Sequence, residues 1–179
     1  EIEYITGDAS TYWGAKRIAD GHPEPFTLRY VEIGNEDFFD PASVYNTRFA
    51  KFYDGIKARY PNLKIIATRR DVTSRRPDLV DDHLYSSVSG MQSAAHNYDN
   101  YDRNAPPVFV GEWATTVGSP TPPLRSALSD AAYLTGLERN ADIVVMACYA
   151  PLMVNVNPGA SQWSTNLIGY DNTVSFGSP

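Results

Sequence analysis

Two glutamates stand in matching company. Gly34-Asn35-Glu36 and Gly111-Glu112-Trp113 each close a short apolar run with a glycine and a carboxylate. Two carboxyl groups facing one pocket suit glycoside hydrolysis: one, protonated, serves the departing oxygen, while the other, ionised, attacks the anomeric carbon. Their mutual repulsion helps keep one proton on the pair near neutral pH. Either glutamate alone reads as a helix cap or a surface ion-pair partner. Both, on equivalent strand ends and each behind a glycine, read as a site.

The elements that position them follow from the hydrophobic pattern. Short apolar runs alternate with longer helical ones, the signature of βα units around a parallel sheet. Strands are expected at residues 28–34, 63–68, 79–85, 107–112 and 142–149. Helices are expected over 43–60, with Tyr45, Phe49, Phe52 and Ile56 on one apolar face, from a Ser86 cap to about Asn97, and over 124–140, with Leu124, Leu128, Ala131 and Leu134 together. A short helix is expected over 11–20, and residues 150–179 read as loop. The glutamates lie 76 residues apart, three βα units of about 25 residues each, which a compact (β/α)8 barrel allows. Strand ends three units apart meet in one bowl at the C-terminal face of such a barrel, where active sites collect. No boundary between two compact domains is visible.

Composition narrows the classes. The 179 residues are 42% hydrophobic and 20% charged, with 12 Gly and 13 Pro, an ordinary globular chain with long loops. A net charge of −6 and only 15 scattered Lys and Arg argue against nucleic acid or an anionic membrane surface as partner. No apolar run approaches the ~18–20 residues of a membrane span. The single cysteine, Cys148, excludes an internal disulfide and reads as a core residue of its strand. Asp81-Asp82-His83 hints at a metal, but consecutive strand residues alternate faces, and a structural or substrate-orienting histidine fits better. Nothing calls for a cofactor.

Val31-Glu32-Ile33-Gly34-Asn35-Glu36 and Val110-Gly111-Glu112-Trp113 resemble the two active-site signatures of the α-L-arabinofuranosidases of glycoside hydrolase family 51. Asp8-Ala9-Ser10 with Trp13-Gly14-Ala15-Lys16-Arg17, Gly21-His22-Pro23-Glu24-Pro25, residues 97–104 and Gln162-Trp163-Ser164-Thr165 extend the resemblance over essentially the whole chain. It implies a partial (β/α)8 TIM barrel, strands four to eight, in an α/β chain. Glu36 would be the acid/base after strand four, and Glu112 the nucleophile after strand seven. Asn35 would bond the sugar 2-hydroxyl, Tyr85, beside His83 on strand six, would orient the nucleophile, and Trp113 would line the sugar pocket. The segment from Asn155 to Gln162 would form the remaining wall. The chain departs from the pattern at Arg69-Arg70-Asp71, where a mostly neutral turn with proline is expected.

Residues 1–179 are therefore expected to be the C-terminal portion of a barrel catalytic domain. The early strands, the final helix and the family's C-terminal β-sandwich lie outside them, and the missing barrel half is an implied partner. The activity implied is retaining, exo-acting release of arabinofuranose from an arabinose-containing polysaccharide or oligosaccharide, without metal or cofactor. A secreted or extracellular location is favoured over the cytoplasm. Two other readings fit the same residues: another two-carboxylate barrel glycosidase acting on xylan or a β-galactoside, and a non-catalytic carbohydrate-binding fragment.

Overall fold

The structure, a computed structural model, describes residues 1–160, 163 and 166–178. Two short helices, α1 (Ile2–Thr6) and α2 (Tyr12–Ala19), precede strand β1 (Tyr30–Ile33). A 3-10 turn (Asp37–Phe39) leads into α3 (Ala42–Arg59), which stops short of Pro61. Then come β2 (Lys64–Ala67), β3 (Leu79–Ser86), α4 (Val88–Ala94), β4 (Val108–Thr115), α5 (Leu124–Arg139) and β5 (Val144–Tyr149). All five strands pair in parallel and in chain order, β1-β2-β3-β4-β5, with β1 and β5 at the two edges. The sequential order is what right-handed βα units produce, and it leaves every strand's C-terminal end on one side. No helix among the described residues is long and apolar enough to cross a membrane.

Two cores pack against the sheet. Ile33, Tyr45, Phe49, Ile65 and Ala67 bury α3 against β1 and β2. Val80, Met91, Tyr98, Val108, Val110, Trp113, Tyr133, Leu137 and Val144 form a larger core between β3–β5 and helices α4 and α5. Tyr45 stitches the smaller core together. Fully buried, it donates its hydroxyl to the Ile33 carbonyl (2.8 Å) and accepts from the Thr68 N–H (2.9 Å), tying α3 to the C-terminal ends of β1 and β2.

Several local expectations are corrected. Phe52 is exposed, and Tyr53 instead packs beside Tyr45 and Phe49. On α5 the leucines at 124, 128 and 134 face outward, while Ser126, Ser129, Asp130, Tyr133, Gly136 and Leu137 are buried. The buried stripe is selected by partners rather than hydrophobicity. Asp130 accepts from the N–H (3.1 Å) and hydroxyl (2.6 Å) of Thr115, bolting α5 to the end of β4. Ser87, not Ser86, caps α4, accepting from the Gly90 N–H (3.2 Å). Cys148, on β5, is exposed rather than in the core. The stretch read as loop contains a small sheet of β6 (Met153–Asn155), β7 (Ile168–Tyr170) and β8 (Ser175–Gly177), whose three-residue strands are too short to show a period. Helix α1 was likewise too short to announce itself.

Replacing Tyr45 with Phe removes both hydroxyl bonds and leaves a carbonyl and an amide at the strand ends without that partner. We expect Tyr45→Phe to lower unfolding stability by about 1–3 kcal/mol in urea titration; an unchanged midpoint would show that these bonds are not structural.

Candidate active site

Glu36 follows β1 and Glu112 lies within β4, and the sheet register sets what stands between them. His83 on β3 pairs directly with Glu112 on β4. Between Asp81↔Phe109 and His83↔Glu112 the ladder shifts, with one more residue on β4 than on β3. Such a bulge redirects side chains. It frees the Gly111 N–H, which donates to the Asp81 carboxylate (2.9 Å) instead. A β-carbon at Gly111 would sit 2.4 Å from that carboxylate oxygen, which explains the glycine before Glu112. Gly34 has a different reason. At φ 106° it occupies the left-handed region, and a β-carbon there would lie 1.8 Å from an Asp37 oxygen.

The side chains converge. His83 Nδ1 is 3.1 Å from Glu36 Oε1 and 3.5 Å from Glu112 Oε2, and its Nε2 is 2.7 Å from Asp81 Oδ2. Tyr85 donates its hydroxyl to Glu112 Oε2 at 2.6 Å. Burial works against the His83 imidazolium, but the Glu36 hydrogen bond and the Asp81 and Glu112 charges outweigh it and raise its pKa above 6.5. Burial, then the hydrogen bond and charge of Glu112, raise the Tyr85 pKa, so Tyr85 stays a hydroxyl donor. Glu36, His83 and Glu112 each offer one donor atom within 4.8 Å of the others, a set that could also hold a cation. Here Tyr85 already engages Glu112, and Asp81 already engages His83.

A cavity of about 570 Å³ opens beside the pair, lined by Asn35, Glu36, Tyr85, Glu112, Pro151 and Trp163 among others. It gathers four of the residues read from the sequence, Asn35, Glu36, Tyr85 and Glu112. His83 lies beneath them, its side chain only 9% exposed, and touches both carboxylates. Trp113 does not line the cavity. With Glu112 facing the cavity, strand alternation turns Trp113 to the helix side, where it is buried against Tyr133 and Tyr149. The tryptophan at the cavity is Trp163, within a block singled out in the sequence but not assigned a role. Asn155 lines an adjoining recess that shares Pro151 and Trp163 with the main cavity, and its Oδ1 accepts from Asn157. Gln162 lies outside the described residues. Two interior carboxyls, Asp81 and Glu32, were not assigned to the site from sequence; their spacing by two from His83 and from Gly34 was the available signal.

A parallel βα sheet with two carboxylates gathered at its C-terminal strand ends is part of a (β/α)8-barrel catalytic domain. Residues 1–103 match the family model described as Alpha-L-arabinofuranosidase 1 domain, and residues 111–176 that of the Alpha-L-arabinofuranosidase C-terminal domain. The chain belongs to the α-L-arabinofuranosidases of glycoside hydrolase family 51. It is 41% identical to Alpha-L-arabinofuranosidase 2 of Arabidopsis thaliana, over 99% of this chain and 26% of that protein. With Alpha-L-arabinofuranosidase A of Aspergillus kawachii it shares 42% identity, over 95% of this chain and 27% of that one. It therefore spans about a quarter of the length of these relatives. An arabinose-bound family 51 α-L-arabinofuranosidase structure superposes with a TM-score of 0.90 at 37% identity, over 98% of this chain and 30% of that one. The first family model ends at residue 103, between α4 and β4, and the second begins at residue 111, within β4; β3 and β4 pair across that division, so the sheet is continuous through it.

Glu32 gives the site a pH signature. On β1, with Oε1 buried and without a hydrogen-bond partner, its carboxyl is pushed up to about 8 by burial, by the Asp81 charge and by a hydrogen bond to Asp81. The native state thus holds a proton that the unfolded chain releases near 4.5, so this group's contribution to stability falls as pH rises from about 4.5 to about 8. Glutamine keeps a donor for Asp81 but does not titrate. Relative to the parent, the Glu32→Gln melting temperature should therefore gain steadily between pH 4.5 and 8; a difference independent of pH would show that Glu32 is ionised throughout.

Proposed function

We propose that the full-length protein is a retaining, exo-acting α-L-arabinofuranosidase, releasing terminal arabinofuranose from arabinan, arabinoxylan or their oligosaccharides. On this reading residues 1–179 are the C-terminal portion of its barrel domain and carry both catalytic carboxyls. The observation that carries it is the approach of Glu36 and Glu112 oxygens to within 4.8 Å. Inverting enzymes need their carboxyls roughly 6.5–9.5 Å apart to admit a water, whereas retaining enzymes hold them about 5–5.5 Å apart. Supporting it are the names of the relatives and the arabinose-bound family 51 structure that superposes on this chain.

The Glu112 carboxylate, held by the Tyr85 hydroxyl, attacks the anomeric carbon from the face opposite the leaving group. The glycosidic C–O bond breaks as Glu36 delivers its proton to the departing oxygen, leaving a β-arabinosyl ester on Glu112. Water then attacks the same carbon and gives its proton to Glu36, and the ester C–O bond breaks to restore Glu112. Two inversions leave the α configuration unchanged. On this reading Asn35, at the cavity wall beside Glu36, bonds the sugar 2-hydroxyl, and Trp163, also at the wall, packs against the sugar.

The roles separate by leaving group. In the full-length enzyme, Glu36→Ala should still form the ester from an activated aryl arabinofuranoside but cleave arabinoxylan about 10²–10⁴-fold more slowly. Azide should accelerate that variant and yield an α-arabinofuranosyl azide. Glu112→Ala should lose turnover of every substrate and with azide give only the β product. An α-azide from Glu112→Ala would mean that the roles are exchanged.

A further inference from the structure

Glu36 sits in an unfavourable backbone conformation. At φ 50° and ψ 34° it is the one non-glycine residue with positive φ among the described residues. A residue with a β-carbon keeps that conformation only where its surroundings impose it. The imposing groups lie in the turn that follows it and in the loop after β2.

Asp37 is the first. Its side chain is 9% exposed, and Oδ2 accepts from the Asn35 N–H (2.9 Å) and the Thr68 hydroxyl (2.7 Å), while Oδ1 is bonded by Arg48. Arg48 also reaches Asp40 (3.1 Å), so α3 grips both ends of the 3-10 turn. Arg69 is the second. Its Nη1 donates to the carbonyls of Asp37 (3.0 Å) and Asp40 (2.8 Å). Its other edge forks onto Asp71, Nε to Oδ1 at 2.7 Å and Nη2 to Oδ2 at 2.6 Å. A planar guanidinium held on one edge by a carboxylate has its remaining donors aimed in a fixed direction. Here that direction is the main chain of the turn directly after Glu36. Arg70, next along, turns the other way, pairing with Asp82 and lying over the rings of Tyr98 and Tyr101.

We propose that Arg69, oriented by Asp71 and acting with Asp37, is a positioning residue for Glu36: it fixes the turn that holds the Glu36 backbone left-handed and its carboxyl within reach of His83 and the leaving-group oxygen. This rests on the reading of Glu36 as acid/base. Arg69 does not contact Glu112, Tyr85 or the nucleophile's side of the cavity. Its loss therefore weakens proton transfer to and from Glu36 while leaving nucleophilic attack intact. A merely structural role would depress every substrate alike.

The test is a leaving-group series on the full-length enzyme, comparing the parent with Arg69→Met, Asp71→Asn and Glu36→Ala. Substrates run from a dinitrophenyl arabinofuranoside, whose leaving group needs little protonation, to a methyl arabinofuranoside, which needs full protonation. For Arg69→Met, kcat/KM should stay within about threefold of the parent on the dinitrophenyl substrate and fall about 10- to 100-fold on the methyl one, a fraction of the full general-acid effect. Azide should raise its kcat on the activated substrate and leave the parent unchanged. Asp71→Asn, at an exposed aspartate, keeps Arg69 but loosens its fork, and should shift the same way by a smaller factor; it decides the matter if Arg69→Met does not fold. Equal losses across the series, or no loss on the methyl substrate, would overturn the proposal. If Glu36→Ala itself shows no leaving-group dependence, the reading of Glu36 fails; if it does and the Arg69 and Asp71 variants do not, only the positioning role fails.

Discussion

Two carboxylates whose oxygens approach within 4.8 Å repel each other, and the surrounding structure answers that repulsion. Unit charges about 4 Å apart repel by about 4 kcal/mol at an effective dielectric of ~20. The answer is local. His83 stands between the pair with a raised affinity for its proton, Asp81 holds the far side of its ring, and the Tyr85 hydroxyl takes one Glu112 oxygen. Glu32, kept neutral beneath Asp81, adds a proton rather than a further negative charge. The result is a set of interior carboxyls that can coexist because protons and donors are shared among them.

The fold supplies the approach in two ways. Parallel pairing in chain order puts the ends of β1, β3 and β4 on one side, and the extra residue on β4 lets Glu112 stand directly across from His83. Beyond β1 the chain leaves regular geometry, and Tyr45, Asp37, Arg48 and Arg69 clamp it from α3 and from the loop after β2. One glutamate is thus set by sheet register and the other by a charged turn.

How much was legible in the sequence depended on whether a signal was periodic and local. The five strands, their parallel order and α3 followed from β-branched runs and a 3.6-residue spacing, and the glycines before Glu36 and Glu112 marked the two matching strand ends whose side chains the structure brings together. Where tertiary partners override hydrophobicity, the reading failed: α5 buries Ser129 and Asp130 because Thr115 needs them, and leaves Leu124, Leu128 and Leu134 outside. Trp113 went to the wrong side because its neighbour Glu112 takes the cavity face and strand side chains alternate. The turn at Arg69-Arg70-Asp71 was visible only as an anomaly. Its purpose lies in contacts to carbonyls some thirty residues earlier, which no spacing rule reveals.

Trapping the glycosyl-enzyme distinguishes the two carboxylates' roles covalently. Incubating the full-length enzyme with a 2-deoxy-2-fluoro-arabinofuranoside bearing a good leaving group slows both steps and lets the glycosyl-enzyme accumulate, and peptide mass spectrometry then locates the ester. A single 2-deoxy-2-fluoroarabinosyl adduct is expected on the peptide carrying Glu112, lost when Glu112 is replaced. An adduct on Glu36, or turnover that inverts the anomeric configuration with no adduct at all, would contradict it.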